Sequence, residues 1–221
     1  MINYSSHVRS FGIKWNIKIE PVYRLLDNTD YINNFFENGE IMLSCFNNFK
    51  KNPDEMQGDQ EEGHAIVGEY GNGPRNSHVI YESGLNAFIM STTSKINEVV
   101  IKDFKAVGAI KINNPSMFAF EIAKKLPYVD SGVEGFCNYK SSRVEFLEGE
   151  EGKLLNSLDF NSPSSHLIFQ EITRGMELFL KLDKYQHQNE YRLAWFSNEE
   201  IKSSLIVRCP EAVKFCDKII F

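Results

Sequence analysis

The chain has 221 residues, a net charge of −6, 42% hydrophobic residues and 13% aromatics. That composition supplies a sizeable core and excludes global disorder, and the acidic balance argues against sequence-blind binding to nucleic acid, which wants a basic face. No run of 18 apolar residues is present, so no membrane-spanning helix is expected, and the first residues lack the basic and apolar segments of a signal peptide.

The length fits one domain over residues 1–221, with 1–16 as a loosely attached arm. Residues 17–26 read as a strand in which Pro21 marks a bend or an edge, and Arg24 interrupts its apolar part. Asn28 or Thr29 is placed to cap a short helix that ends at Asn38-Gly39. Residues 41–46 read as a strand carrying Ser44. Residues 47–63 are polar and loop-like, ending in a cluster of Asp59, Glu61 and Glu62, and residues 68–76 are rich in glycine. Two strands follow at 78–81 and 86–90, then the run Ser91-Thr92-Thr93-Ser94.

Residues 96–104 fit a helix or a strand equally, and 107–112 fit a strand. Asn114-Pro115 pairs a cap with proline at the first helical position, which predicts a helix to about Lys125. A strand is expected over 132–140 with Tyr139 near its end, and a solvated acidic loop over 145–152. A helix within 163–182 places Leu167, Ile168, Ile172, Met176 and Phe179 on one side. The stretch Q-H-Q-N-E-Y-R-L-A-W-F, residues 186–196, ends in a strand of alternating side chains that opens at Gln188-x-Glu190. A further strand at 205–208, a short helix at 210–216 and a terminal I-I-F complete the chain. Strands and short helices mix without regular β-α-β alternation, which predicts an α+β domain with mainly antiparallel sheets.

Cys45, Cys137, Cys209 and Cys216 form no C-x-x-C pair. They read as buried thiols of a cytoplasmic protein, and Cys137 as a nucleophile lacks an implied partner. The histidines lack H-E-x-x-H spacing, and neither G-x-S-x-G nor a P-loop occurs, so metalloprotease, hydrolase and P-loop readings lose their support. Asp59, Glu61, Glu62 and His64 would permit a hard cation, which would serve a nuclease, but a solvated loop is the commoner outcome for such a cluster and no metal is expected.

An arginine on an early strand (Arg24), a Ser/Thr run closing a middle strand and Gln188-x-Glu190 opening a late one occur in the order that resembles the Arg–Ser-Thr-Ser–Glu class of mono-ADP-ribosyltransferases. Gln in the first position resembles the Rho-modifying clostridial exoenzymes. The resemblance implies that Arg24 holds dinucleotide phosphates, that Ser91 or Thr93 supports the nicotinamide ribose, and that Glu190 is catalytic. The run here is S-T-T-S, one residue longer than S-T-S. A second resemblance spans roughly residues 20–196: Y-R-L-L, S-C-F-N-N-F, G-D-Q-E-E-G, a strand ending in Ser, C-N-Y, F-L-K and Y-x-x-Q-x-E-Y-R-L look like a family of small prokaryotic proteins of unknown function linked to defence or toxin settings. It implies an ADP-ribosyltransferase-like fold of two packed sheets with short flanking helices.

The residues allow the same chemistry to be argued independently. Cleaving a nicotinamide–ribose bond builds positive charge on the ribose, and a fixed carboxylate at Glu190 would lower that barrier. Arg24 suits a diphosphate because its planar fork donates two parallel hydrogen bonds. Tyr23 or Tyr139 could stack on a flat ring, Ser44 is a further candidate for the cofactor although such a serine is more often only a strand hydroxyl, and Gln188 would orient the acceptor. The expected ligand is NAD+ as substrate, with a macromolecular acceptor or water receiving ADP-ribose. Structural readings stand beside these. Glu190 could pair with Arg192 or Arg24 across strands, Arg24 could be an ion-pair residue, and residues 91–94 could form a turn. A non-catalytic module that senses a nucleotide or a protein is the alternative function.

Overall fold

The computed structural model describes residues 2–4, 20–54, 58–69, 78–173 and 175–221. Its elements in chain order are β1 (Ile2–Tyr4), β2 (Val22–Leu26), α1 (Thr29–Asn38), β3 (Glu40–Leu43), α2 (Phe46–Lys51), β4 (His64–Glu69), β5 (His78–Glu82), β6 (Ala87–Thr93) and α3 (Glu98–Asp103). They continue with β7 (Gly108–Ile112), α4 (Pro115–Ala123), β8 (Val129–Phe136), β9 (Asn138–Lys140), β10 (Val144–Leu147), α5 (Gly149–Ser157) and α6 (Pro163–Thr173). Last come β11 (Leu180–Leu182), β12 (Glu190–Ser197), β13 (Leu205–Arg208), α7 (Pro210–Val213) and β14 (Cys216–Ile220), with a 3-10 turn over Asp183–Gln188.

The architecture is mixed α+β. One seven-stranded sheet runs β1-β8-β12-β6-β2-β7-β14, and three small sheets accompany it: β10-β4-β5, β11-β9 and β13-β3. Pairing is mostly antiparallel; β1/β8, β10/β4 and β11/β9 are parallel. Strand β12 lies between β6 and β8 and is covered on both faces. Leu193 and Trp195 join a core with Phe35, Met90, Ile110 and Phe118, while Ala194 meets Phe46, Ile89 and Phe179 on the other side. A third core, including Val67, Leu155 and Phe169, fills the space between β4, α5 and α6. No helix among the described residues is long and apolar enough to cross a membrane.

Local chemistry explains the helix boundaries that were readable. Asn28 caps α1 by accepting from the Asp30 amide at 2.8 Å, and Gly39 ends it at φ 74°. Asn114 accepts from the Met117 amide, with Pro115 following. The ambiguous 96–104 stretch is helical because Asn97 accepts from the Val100 amide.

Several elements differ from expectation. The strand expected to carry Ser44 ends at Leu43, and Phe46, expected to end that strand, starts a helix that runs into the expected 47–63 loop, its ring buried in the second core. The acidic 145–152 stretch is not a loop. Val144–Leu147 pairs with β4, and α5 follows with Leu155 buried. The single strand expected over 132–140 is broken at Cys137: its amide donates to the Glu190 carbonyl, and that of Asn138 donates to Phe179. Leu167 is 68% exposed, and Met176 and Phe179 lie beyond the end of α6, after Gly175 at φ 70°. Ile2–Tyr4, expected to belong to a loose arm, pair with Gly132–Glu134; the rest of that arm, the start of the first predicted strand (17–19) and most of the glycine-rich stretch (70–76) lie outside the described residues. The terminal I-I-F belongs largely to β14, which closes one edge of the main sheet against β7.

Candidate functional site

The S-T-T-S run does not break the strand: β6 continues through Thr93, so Ser91 and Thr93 leave the same face. Register then places Thr93 between Tyr23 on β2 and Glu190 on β12, a row of three side chains across adjacent strands. Gln188 arrives differently. The pleat does not reach it, because it ends the 3-10 turn and Asn189 follows at φ 44°. The Ser94 amide and hydroxyl both donate to the Asn189 carbonyl, at 2.9 and 3.2 Å, and this ties the Ser/Thr run to the Gln-Asn-Glu segment.

A cavity of about 470 Å³ opens over this row. Tyr23, Arg24, Ser44, Ser91, Thr93, Gln188 and Glu190 all line it, with Asn48 and Phe49 from α2 and Lys181 from β11. Tyr139 does not. Its hydroxyl accepts from the Glu190 amide at 2.7 Å, so it supports the backbone there and does not line the cavity.

Arg24 is half-buried and donates to the Ser91 carbonyl at 2.8 Å. It makes no ion pair among the described residues. Burial lowers its pKa, opposed by the negative charges of Glu190 and Asp27, and leaves a cation with unused donors facing the cavity. The Ser91 hydroxyl likewise makes no hydrogen bond among the described residues. Those of Thr92 and Thr93 donate to the Tyr191 and Lys95 carbonyls.

Glu190 is 4% exposed, and both of its carboxylate oxygens are engaged. Oε1 accepts from Arg192 Nε at 2.6 Å and Oε2 from Lys181 Nζ at 2.5 Å. Lys181 also donates to the Gln188 amide oxygen at 2.9 Å, which explains how two residues on different local structures converge. Arg192 presents its fork to Glu62, at 2.6 and 2.9 Å, and donates to the Leu178 carbonyl. Two carboxylates and two cations thus form a closed, charge-balanced chain. Burial alone would raise the Glu190 pKa, but the charges of Arg192 and Lys181 outweigh it and hold the carboxyl well below its usual range. Glu190 therefore stays ionised at any physiological pH.

Lys181 was not expected at the site, and Glu62 was read only as a member of the acidic cluster. A lysine inside F-L-K-L was the available signal for the first, since a buried ammonium needs a partner. Nothing local marks Glu62, whose partner lies 130 positions away. The acidic cluster does not gather on one point: Glu62 turns to Arg192, Asp59 pairs with Arg143, and His64 faces Glu82 at 3.5 Å. Cys137 is buried, and burial pushes its thiol pKa up, which removes the thiolate a nucleophile needs. Comparison with protein-family models, curated proteins and solved structures finds no match to this chain.

Proposed function

We propose that the cavity binds NAD+ and that the protein breaks its nicotinamide–ribose bond, passing ADP-ribose to a macromolecule or to water. The observation that carries this reading is the convergence of Arg24, Ser91, Thr93, Gln188 and Glu190 on one cavity from three distant parts of the chain. Arg24 supplies the diphosphate partner, with donors left over after its one bond to Ser91. Ser91 offers the ribose a hydroxyl that has no hydrogen bond among the described residues. As the bond between the ribose carbon and the nicotinamide nitrogen breaks, its electron pair leaves with nicotinamide. The carbon then carries positive charge until an acceptor oxygen bonds to it and loses its proton. A permanently ionised, oriented carboxylate suits this step by its charge and not by proton transfer. The ADP-ribosyltransferase-like arrangement of two strand layers around the cleft belongs to the same proposal.

One observation favours the non-catalytic alternative. Both Glu190 oxygens are already held by cations, so a ligand must compete with Lys181 for the carboxylate or be bound without being consumed. Incubation with NAD+ while nicotinamide release is followed separates the two. Release by the wild type that Glu190→Gln abolishes supports the enzyme. Thermal stabilisation by NAD+ with no nicotinamide released supports a sensing module, and neither effect refutes both.

A further inference from the structure

A second hollow of about 200 Å³ adjoins the first, sharing Arg24, Leu26, Tyr31 and Met42 with it. Its character is different. Ile41, Ile110 and Ile206 line its wall, and its polar side chains are Asn34, Glu40 and the shared Arg24. Three large apolar side chains at this hollow stand in solvent: Tyr31 is 57% exposed, Met42 49% and Ile206 67%. Met42 and Ile206 face each other directly across the β3/β13 ribbon, so they form one continuous exposed apolar patch. Glu40 leaves the same face of that ribbon two residues before Met42. It makes no hydrogen bond or ion pair among the described residues. Arg208, its neighbour across the ribbon, donates instead to the Asn38 carbonyl.

We infer that this apolar lobe holds the purine of the dinucleotide, with Arg24 on the diphosphate at the waist between the lobes and Glu40 reading an exocyclic amine. The inference rests on the NAD+ reading of the larger cavity and adds to it where the base lies and which base is taken. A flat ring laid between Tyr31 and the Met42–Ile206 pair removes apolar surface from water on both of its faces. An anionic linker must then pass the guanidinium, because Arg24 lines both hollows. A carboxylate at Glu40 accepts from an amino group and repels a ring carbonyl, so adenine is preferred over hypoxanthine.

The test is calorimetric titration of three probes: ADP-ribose, its hypoxanthine counterpart and nicotinamide mononucleotide. The proteins are the wild type, I206S and E40Q. Ile206 lines only the smaller hollow and is exposed, so an unchanged thermal midpoint verifies that I206S is folded. We expect I206S to weaken ADP-ribose roughly fivefold while leaving nicotinamide mononucleotide unchanged. We expect E40Q to narrow the wild-type preference for the amino over the keto base. Equal ADP-ribose affinity in the wild type and I206S overturns the purine lobe and leaves the larger site standing. A wild type indifferent to the base overturns the role of Glu40. A wild type that binds neither ADP-ribose nor nicotinamide mononucleotide overturns the NAD+ reading and this inference with it.

Discussion

Replacing Arg192 by methionine keeps an unbranched chain of similar reach and deletes the charge. Arg192 is 1% exposed and Glu62 2%, so water cannot take over the lost contacts. The variant loses two hydrogen bonds to Glu62, one to Glu190 and one to Leu178. Glu62 is then left in the interior with no cation among these contacts, whereas Glu190 retains Lys181. Removing one partner of a buried ion pair costs about 3–5 kcal/mol. Domains have only about 5–15 kcal/mol in total, so the loss is a large fraction of the stability. Glu62→Leu removes the opposite charge and incurs a similar loss by leaving the Arg192 fork unsatisfied. The double variant leaves a self-balanced Glu190–Lys181 pair. It is therefore expected to be more stable than the sum of the single losses by about 1–3 kcal/mol. Urea denaturation of the four proteins measures this, provided the slopes agree. A loss below about 1 kcal/mol for Arg192→Met, set against the expected range, or strict additivity in the double variant, would refute the charge-balanced chain as the support of the site.

Acid should reveal the same network. The Glu190 carboxyl is held low in the folded protein, so its contribution is complete above the ordinary carboxylate pKa of about 4.3 and is lost as pH falls through the folded value. The stability gap between wild type and Glu190→Gln, measured by denaturation at pH 7 and again below pH ~4, should narrow in acid; a constant gap would remove the ionised carboxylate from the account. Gly39→Ala tests a different joint. At φ 74°, with a Cβ that would stand 2.3 Å from the Pro210 nitrogen, the substitution forces α1 away from the start of α7. A loss of about 1–3 kcal/mol is expected, and a variant within ~0.5 kcal/mol of the wild type contradicts it.

What could be read from the chain was what its neighbours determine. Asn28 and Gly39, and the Asn114-Pro115 pair, act within one helical turn, so their meaning is present in the sequence itself. Glu190 was legible because a carboxylate opening an aromatic strand is conspicuous. Its chemistry was not, because Lys181 reaches it through the parallel pairing of β11 with β9, and Glu62 reaches Arg192 across most of the chain. The acidic 145–152 stretch misled for the same reason. Its charges suggest solvent, while β4 supplies a ladder for Val144–Leu147 and Leu155 turns inward. Tyr139 looked like a stacking ring by residue type alone, and only beyond the break at Cys137 does its hydroxyl meet the Glu190 amide.

The place of β12 in the main sheet has a consequence for biosynthesis. Its two neighbours, β6 and β8, are translated well before it, and in the finished sheet they never touch each other. A nascent chain emerging from the ribosome therefore holds β6 and β8 before the strand that joins them exists. Their facing edges have no partner until Glu190–Ser197 slots in, a long-range event that is slow by nature. Chaperone dependence and loss to inclusion bodies should accordingly track the timing of that late insertion more than the overall strength of the folded protein.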